Sequence, residues 1–242
     1  MVVLVITDIH ANLEALNAVI RAAAGSYEEV WCLGDIVGYG PEPKETLAAV
    51  RRLSPIAIAG NHDRGVCGKV NLDDFSTGAR DAIERHIPLL NGADKEWLDA
   101  LPEVLERSSV TLCHGSLVDP VWAYILSAHD AALNLQMATT SLVFTGHTHF
   151  PAIWQQQDGG QIDLVEATYD REISLRGAMA VVNPGSLGQP RNGRPAAHYA
   201  LFDTERRAIV FRQQPYPYRK TMKKMRSKGY PESSVTRYAQ GR

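Results

Sequence analysis

Short apolar runs alternate with helical periodicity through residues 1–145 of the chain. Residues 2–7 (VVLVIT) form a β-branched run long enough for a buried strand. Residues 12–24 (NLEALNAVIRAAA) set Leu13, Leu16, Val19, Ile20 and Ala23 on one helical face, and Gly25 supplies a stop. A strand at 29–33, a Gly/Pro loop (GYGPEP), a helix at 43–52 and a short strand at 56–59 come next. Residues 72–101 read as mostly helical, broken at Pro88 and again near Asn91-Gly92. Strands at 109–113 and 141–145 flank a helix at 129–138. The order βαβαβ…βαβ calls for a parallel or mixed sheet with helical crossovers.

Beyond residue 150 the rhythm changes. Apolar runs at 151–156, 161–167, 179–183, 197–203 and 208–213 follow one another with little helix between them. This strand-rich half is expected to complete a second sheet packed on the first, with a final helix at 217–228 closing the fold. The predicted class is α/β: two mixed β-sheets packed as a sandwich and flanked by helices. No repeat or flexible linker interrupts the chain, so a single domain over 1–242 is expected.

Composition narrows the class without choosing a function. Hydrophobic residues make up 45% and charged residues 21%, which excludes disordered, collagen-like and coiled-coil chains. A formal charge of −2 gives no support to a bulk polyanion binder or a membrane-surface protein. Cys32, Cys67 and Cys113 are far apart and form no Cys-x-x-Cys pair, so neither a disulfide framework nor a thiolate zinc site is indicated. Unpaired thiols and the lack of a secretory-type start lead to the expectation of a cytoplasmic protein. The longest charge-free stretch, 131–157, contains Asn134, Gln136, His147, His149 and Pro151 and is too polar to span a membrane.

The informative residues follow the predicted strands. Asp8-Ile9-His10 comes after the first, Gly34-Asp35 after the second and Gly60-Asn61-His62-Asp63 after the third. His114-Gly115 and Gly146-His147-Thr148-His149 come after the strands at 109–113 and 141–145. Loops beyond the carboxyl ends of parallel strands share one crevice, so five segments would deliver Asp, His, Asp, Asn, His, His and His to one place. Imidazole mixed with carboxylate suits Mn, Fe, Co, Ni or Zn rather than ions held by oxygen alone. Seven ligands exceed the needs of one tetrahedral ion, which points to two.

These five motifs resemble the signature of the calcineurin-like metallophosphoesterases. The stretch Asn183-Pro184-Gly185-Ser186-Leu187-Gly188-Gln189-Pro190-Arg191 is similar to their bacterial and archaeal small-phosphoesterase branch. The resemblance implies a four-layer αββα fold and two divalent transition-metal ions, with Mn the first choice. It implies that Asp8, His10, Asp35 and His149 hold one ion, and that Asp35, Asn61, His114 and His147 hold the other. It implies hydrolysis of a small phosphate ester (a phosphodiester, a nucleotide or a phosphomonoester) by a hydroxide shared between the ions. His62 would then protonate the leaving group, with Asp63 orienting it.

The second motif departs from the protein phosphatases and symmetrical dinucleoside tetraphosphatases. It carries Gly38 and Tyr39 where they have Asp and a phosphate-clamping Arg. Asn12, Arg64 and Arg191 are candidate phosphate contacts, Asn12 also being a candidate helix cap. Tyr39 is a candidate pocket wall, and His86, His129 and His198 match no motif and read as structural. The six basic residues of 219–228 read as the outer face of a helix docked through Tyr218, Met222 and Met225. Two alternatives to a small-molecule phosphoesterase are a non-catalytic interaction module that keeps the fold and a DNA nuclease.

Overall fold

A computed structural model describes residues 1–241. The first strand, β1 (Val2–Ile6), is buried on both faces. Leu4 and Ile6 meet the helices, while Val3 and Val5 meet the second sheet, which is why the run is continuously apolar rather than alternating. It pairs in parallel with β2 (Glu29–Cys32), and β2 with β3 (Ile56–Ala57). The crossovers are α1 (Leu13–Ala22) and α2 (Pro43–Arg52). On its other side β1 pairs antiparallel with β11 (Ala196–Asp203), and β12 (Ala208–Pro215) and β9 (Glu172–Ser174) complete the sheet in the order β3-β2-β1-β11-β12-β9.

The second sheet contains β4 (Val104–Arg107), β5 (Val110–Cys113), β6 (Leu142–Phe144), β7 (Ala152–Gln156), β8 (Ile162–Glu166) and β10 (Ala180–Asn183). Its order is β4-β5-β6-β10-β7-β8, with β5, β6 and β10 parallel and α6 (Ala128–Met137) crossing from β5 to β6. The inner faces of the two sheets interlock through Trp31, Phe144 and Phe202, whose ring centroids lie 5.0 to 5.9 Å apart. Leu16, Val19, Leu47 and Val50 of α1 and α2 bury against the first sheet, and Ala131 and Leu135 of α6 against the second. The helix–sheet–sheet–helix layering expected from the sequence is the observed one. Among the described residues no helix is long and apolar enough to cross a membrane.

Register puts the functional loops at one level. Ile6 pairs with Cys32 and Cys32 with Ala57, so β1, β2 and β3 end side by side. In the second sheet Phe144 pairs with both Leu112 and Val182, aligning β5, β6 and β10. The loops after β2 and β3 then touch back to back. A Cβ on Gly34, whose φ is +89°, would come within 2.5 Å of the Gly60 nitrogen. Gly34→Ala is therefore expected to lower stability by about 1–3 kcal/mol, from positive-φ strain plus the clash. An unshifted denaturant midpoint would contradict this close approach.

Four elements escaped the sequence reading. The segment read as a bare Gly-Asn-His-Asp loop is the start of α3 (Asn61–Val66). The strand β4 carries mostly exposed side chains and so shows no alternation, and β9 is three residues long. The helix expected at 217–228 is α7 (Tyr218–Ser227), but it does not close the fold: α8 (Glu232–Gln240) packs on it. The helical stretch at 72–101 resolves into a 3-10 turn at Leu72–Asp74, α4 (Thr77–His86) and α5 (Gly92–Asp99).

Candidate active site

At the carboxyl ends of β1, β2, β5 and β6, the imidazoles of His10, His114, His147 and His149 converge with the carboxylates of Asp8 and Asp35, and His62 approaches His10 and Asp35 from α3, all seven buried. The first four imidazoles are fixed by backbone carbonyls behind them. His10, His114 and His149 each donate from Nδ1 to a carbonyl oxygen, of Val37 at 3.0 Å, Leu33 at 2.7 Å and Gln189 at 2.7 Å. His147 is reversed, donating from Nε2 to the Trp122 oxygen at 3.1 Å. Each ring therefore turns its other nitrogen inward, a lone pair whenever that ring is neutral, the arrangement that prepares histidine for a cation. The Nε2 atoms of His10 and His149 face each other at 3.1 Å.

The carboxylates complete the set. Asp8 Oδ1 lies 3.2 Å from His149 Nε2, while its Oδ2 accepts from the Thr7 hydroxyl and the His147 amide. Asp35 Oδ1 accepts the His62 amide at 2.9 Å. Its Oδ2 sits between the two groups, 3.6 Å from His10 Nε2 and 3.3 Å from His114 Nε2. Two buried polar atoms at the cluster, His114 Nε2 and Asn61 Oδ1, have no hydrogen-bond partner. Asp8, His10, Asp35, His147 and His149 all hold left-handed φ angles between 47° and 65°, a conformation uncommon for residues with a side chain and concentrated at functional sites.

Charge is concentrated in this space. Burial would raise Asp8, but His149 and His114 beside it hold it below the usual carboxylate range. Burial likewise opposes, and His114 and His62 override it to hold, a low Asp35. Burial pushes His114 down, yet Asp35 and Asp8 outweigh it and lift the ring to about 9. In the absence of metal a proton on His114 is thus the counter-cation of the carboxylate pair, and metal binding would displace it. The donor set, the inward lone pairs and the unpartnered atoms all fit one or more divalent transition-metal ions.

His62 lies beside the cluster on the first turn of α3. Its ring packs at 4.7 to 5.3 Å, between centroids, against Tyr39, His10 and Phe75. Burial pushes it down to about 4, so a proton on this ring depends on an anion arriving next to it. Asp63 does not orient His62, contrary to the expectation. Its carboxylate accepts the amides of Gly60, Ile36 and Val37 at 3.0 to 3.2 Å, tying the second motif to the third. Among the described residues His62 Nδ1 has no hydrogen-bond partner.

A cavity of about 170 Å³ opens over the cluster, lined by Asp35, Asn61, His62, His147 and His149. Tyr39, Phe75, Trp122, Tyr124 and Arg191 are among its other walls, with Asp74, Ser76 and Ala79. Tyr124 stacks on His147 at 3.9 Å, and the buried Nε of Arg191 is unpartnered. Two candidate phosphate contacts are elsewhere. Asn12 caps α1 by accepting from Ala15, donates to the Gly188 oxygen and accepts from Thr221, leaving no free polar atom. Arg64 is spent on Glu103 and on the Asp99 and Leu101 oxygens. The basic helix α7 docks through Met222 and Met225 as expected, but it is not simply solvated: Lys220 and Lys224 pair with Glu14, and Lys224 also with Glu42. The carbonyls behind the histidines and the walls Phe75, Trp122 and Tyr124 were not identified from sequence. Any residue type supplies a carbonyl, and an aromatic loop residue carries no spacing signal.

Known proteins resemble this chain in sequence and fold. The sequence profile of the calcineurin-like phosphoesterase superfamily domain matches residues 1–207. The chain is 33% identical over 235 residues to an uncharacterized protein of Methanocaldococcus jannaschii, covering 94% of this chain and 93% of that one. It is 26% identical over 216 residues to phosphodiesterase YfcE of Escherichia coli, covering 84% and 88%. A crystal structure of a metallophosphoesterase from Sphaerobacter thermophilus superposes with a TM-score of 0.90 at 38% identity, over 100% of this chain and 99% of that one. The chain therefore belongs to the calcineurin-like phosphoesterase superfamily, a family of metal-dependent phosphoester hydrolases.

Proposed function

We propose that this protein hydrolyses a small phosphate ester at a two-metal centre. Asp8, His10, Asp35 and His149 would hold one divalent ion, and Asp35, Asn61, His114 and His147 the other. The observation that carries this reading is the placement of Asp35 Oδ2 between His10 and His114, with the lone pairs of His10 and His149 facing each other 3.1 Å apart. When bound, such ions supply positive charge beside the phosphoryl oxygens and acidify the attacking water from ~15.7 towards ~7. The mixed N/O set accepts Mn, Fe, Co, Ni or Zn, and Mn is the first to test.

The chain's own residues do the rest. Nδ1 of His62 abuts Gly38, so its Nε2 edge is the one turned to the cavity, where it would deliver a proton to the departing oxygen. Arg191 would receive a phosphoryl oxygen at its unpartnered Nε. Tyr39, Phe75, Trp122 and Tyr124 give the leaving group an apolar, aromatic wall. Arg191→Ala is expected to lower kcat/KM by about 10- to 100-fold, the worth of one charged hydrogen bond, with metal content unchanged. An unaltered kcat/KM would remove Arg191 from the site.

The reading is tested by stripping metal with a chelator and reloading Mn, Co, Ni or Zn. Each form is then assayed on aryl phosphomonoesters, aryl phosphodiesters, nucleotides and dinucleoside polyphosphates. Restored hydrolysis of at least one class is expected. Silence of every metal form on every class would favour a non-catalytic module instead.

A further inference from the structure

One turn, Gly38-Tyr39-Gly40, separates the buried His86 from the substrate cavity. His86 is the last residue of α4 and is fully buried. The Gly38 amide donates to its Nδ1 at 3.1 Å, so that nitrogen carries no proton. Nε2 does, and donates to the Gly40 oxygen at 2.8 Å. The Tyr230 hydroxyl donates to the same oxygen at 3.0 Å. Both ends of the turn are thereby held by side chains that touch neither the metal-ligand candidates nor the cavity.

The far side of the turn presses on the site. A Cβ on Gly38 would lie 2.1 Å from His62 Nδ1, and one on Gly40 would lie 2.3 Å from the His10 oxygen. Tyr39, at φ 53°, sets its ring 4.7 Å from the centroids of both His10 and His62. The next residues are braced as well: Lys228 donates to the Pro41 oxygen at 2.5 Å and Lys224 to Glu42 at 2.6 Å. Those lysines and Tyr230 all lie beyond residue 207, where the family profile ends. Because Asp63 is engaged elsewhere and His62 Nδ1 has no hydrogen-bond partner among the described residues, packing against neighbours such as this turn sets the His62 ring.

We propose that His86 and Tyr230 are positioning residues for His62, holding the Gly38–Gly40 turn so that it wedges the His62 ring into line with the leaving group. The inference rests on the reading of His62 as the proton donor. Its consequence is that the α7–α8 segment acts on the chemical step and not on metal binding.

The test uses the metal-loaded wild type, His86→Ala, His86→Gln, Tyr230→Phe, His62→Asn and His86→Ala/His62→Asn. Substrates are aryl phosphate esters whose phenols range from strongly to weakly acidic. A displaced proton donor matters most for poor leaving groups. His86→Ala is expected to lose about 10- to 100-fold in kcat on the weakly acidic phenols, the cost of a misplacement near 1 Å, with little loss on the p-nitrophenyl ester and little change in KM or metal content. His86→Gln, whose amide can still donate to Gly40, should recover part of the loss. Tyr230→Phe removes a single hydroxyl and should show the same dependence more weakly, which keeps the test decisive where His86→Ala does not fold. In the His62→Asn background, His86→Ala should cost nothing further.

A loss uniform across leaving groups in His86→Ala and Tyr230→Phe, or an additive loss in the double variant, overturns the positioning role and leaves the phosphoesterase reading intact. A wild type inactive on every ester overturns both.

Discussion

Replacing Asp35 with asparagine is expected to abolish metal-dependent turnover and to weaken both proposed metal positions together. The substitution keeps the shape of the side chain and an oxygen for the His62 amide, 2.9 Å away. It places an N–H where Oδ2 now stands between His10 and His114, removing the carboxylate that the two proposed metal positions would share. Loss of a two-metal centre forfeits several kcal/mol of transition-state stabilisation, about 10³-fold or more in rate at ~1.36 kcal/mol per tenfold. In the metal-free fold His114 and His62 hold Asp35 ionised, so the metal-free variant should itself unfold below the wild-type temperature, and metal loss is read from the response to added ion. The wild type should gain thermal stability on adding Mn and the variant should not. Metal analysis showing two equivalents bound with normal turnover would end the assignment.

Replacing His62 with asparagine is expected to separate chemistry from metal binding. The side chain supplies none of the inward lone pairs assigned to the metal positions, and its link to Asp35 runs through its backbone amide, which asparagine retains. Metal content and metal-dependent stabilisation should match the wild type. Turnover should fall by roughly 10²- to 10⁴-fold, the usual contribution of a general acid, and should fall most for esters of weakly acidic alcohols. Asp63→Asn gives the contrast. Because Asp63 accepts the amides of Gly60, Ile36 and Val37, its loss should loosen the second and third motifs and appear first as reduced stability. Metal loss in the His62 variant equal to that of Asp35→Asn would mean that His62 is itself a ligand.

The opposite fates of Asn12 and Arg191, both candidate phosphate contacts, mark where sequence reading stops. Asn12 follows the first motif directly, yet its side chain turns back to cap α1 and to bind Gly188 and Thr221. Arg191 ends the 183–191 stretch, beyond the five metal-ligand motifs along the chain, yet lines the cavity. Likewise His86 matches no motif and reads as a structural histidine; only the packed structure adds its bonds to Gly38 and Gly40. Helix α3 was missed because its cap is the Asp63 carboxylate on Gly60, a bond indistinguishable in sequence from a loop Asp.

By itself the sequence determined the α/β layering and the kind of residue at the end of each parallel strand. Hydrophobic periodicity encodes which face is buried, and parallel strands place their carboxyl ends along one edge. Only the tertiary structure decided which nitrogen of each histidine faces inward, since backbone carbonyls of Leu33, Val37, Trp122 and Gln189 make that choice. It also decided what Asp63 holds and what the last helices brace. These are contacts between residues distant along the chain, and hydrogen-bond direction depends on packing geometry that no local pattern records.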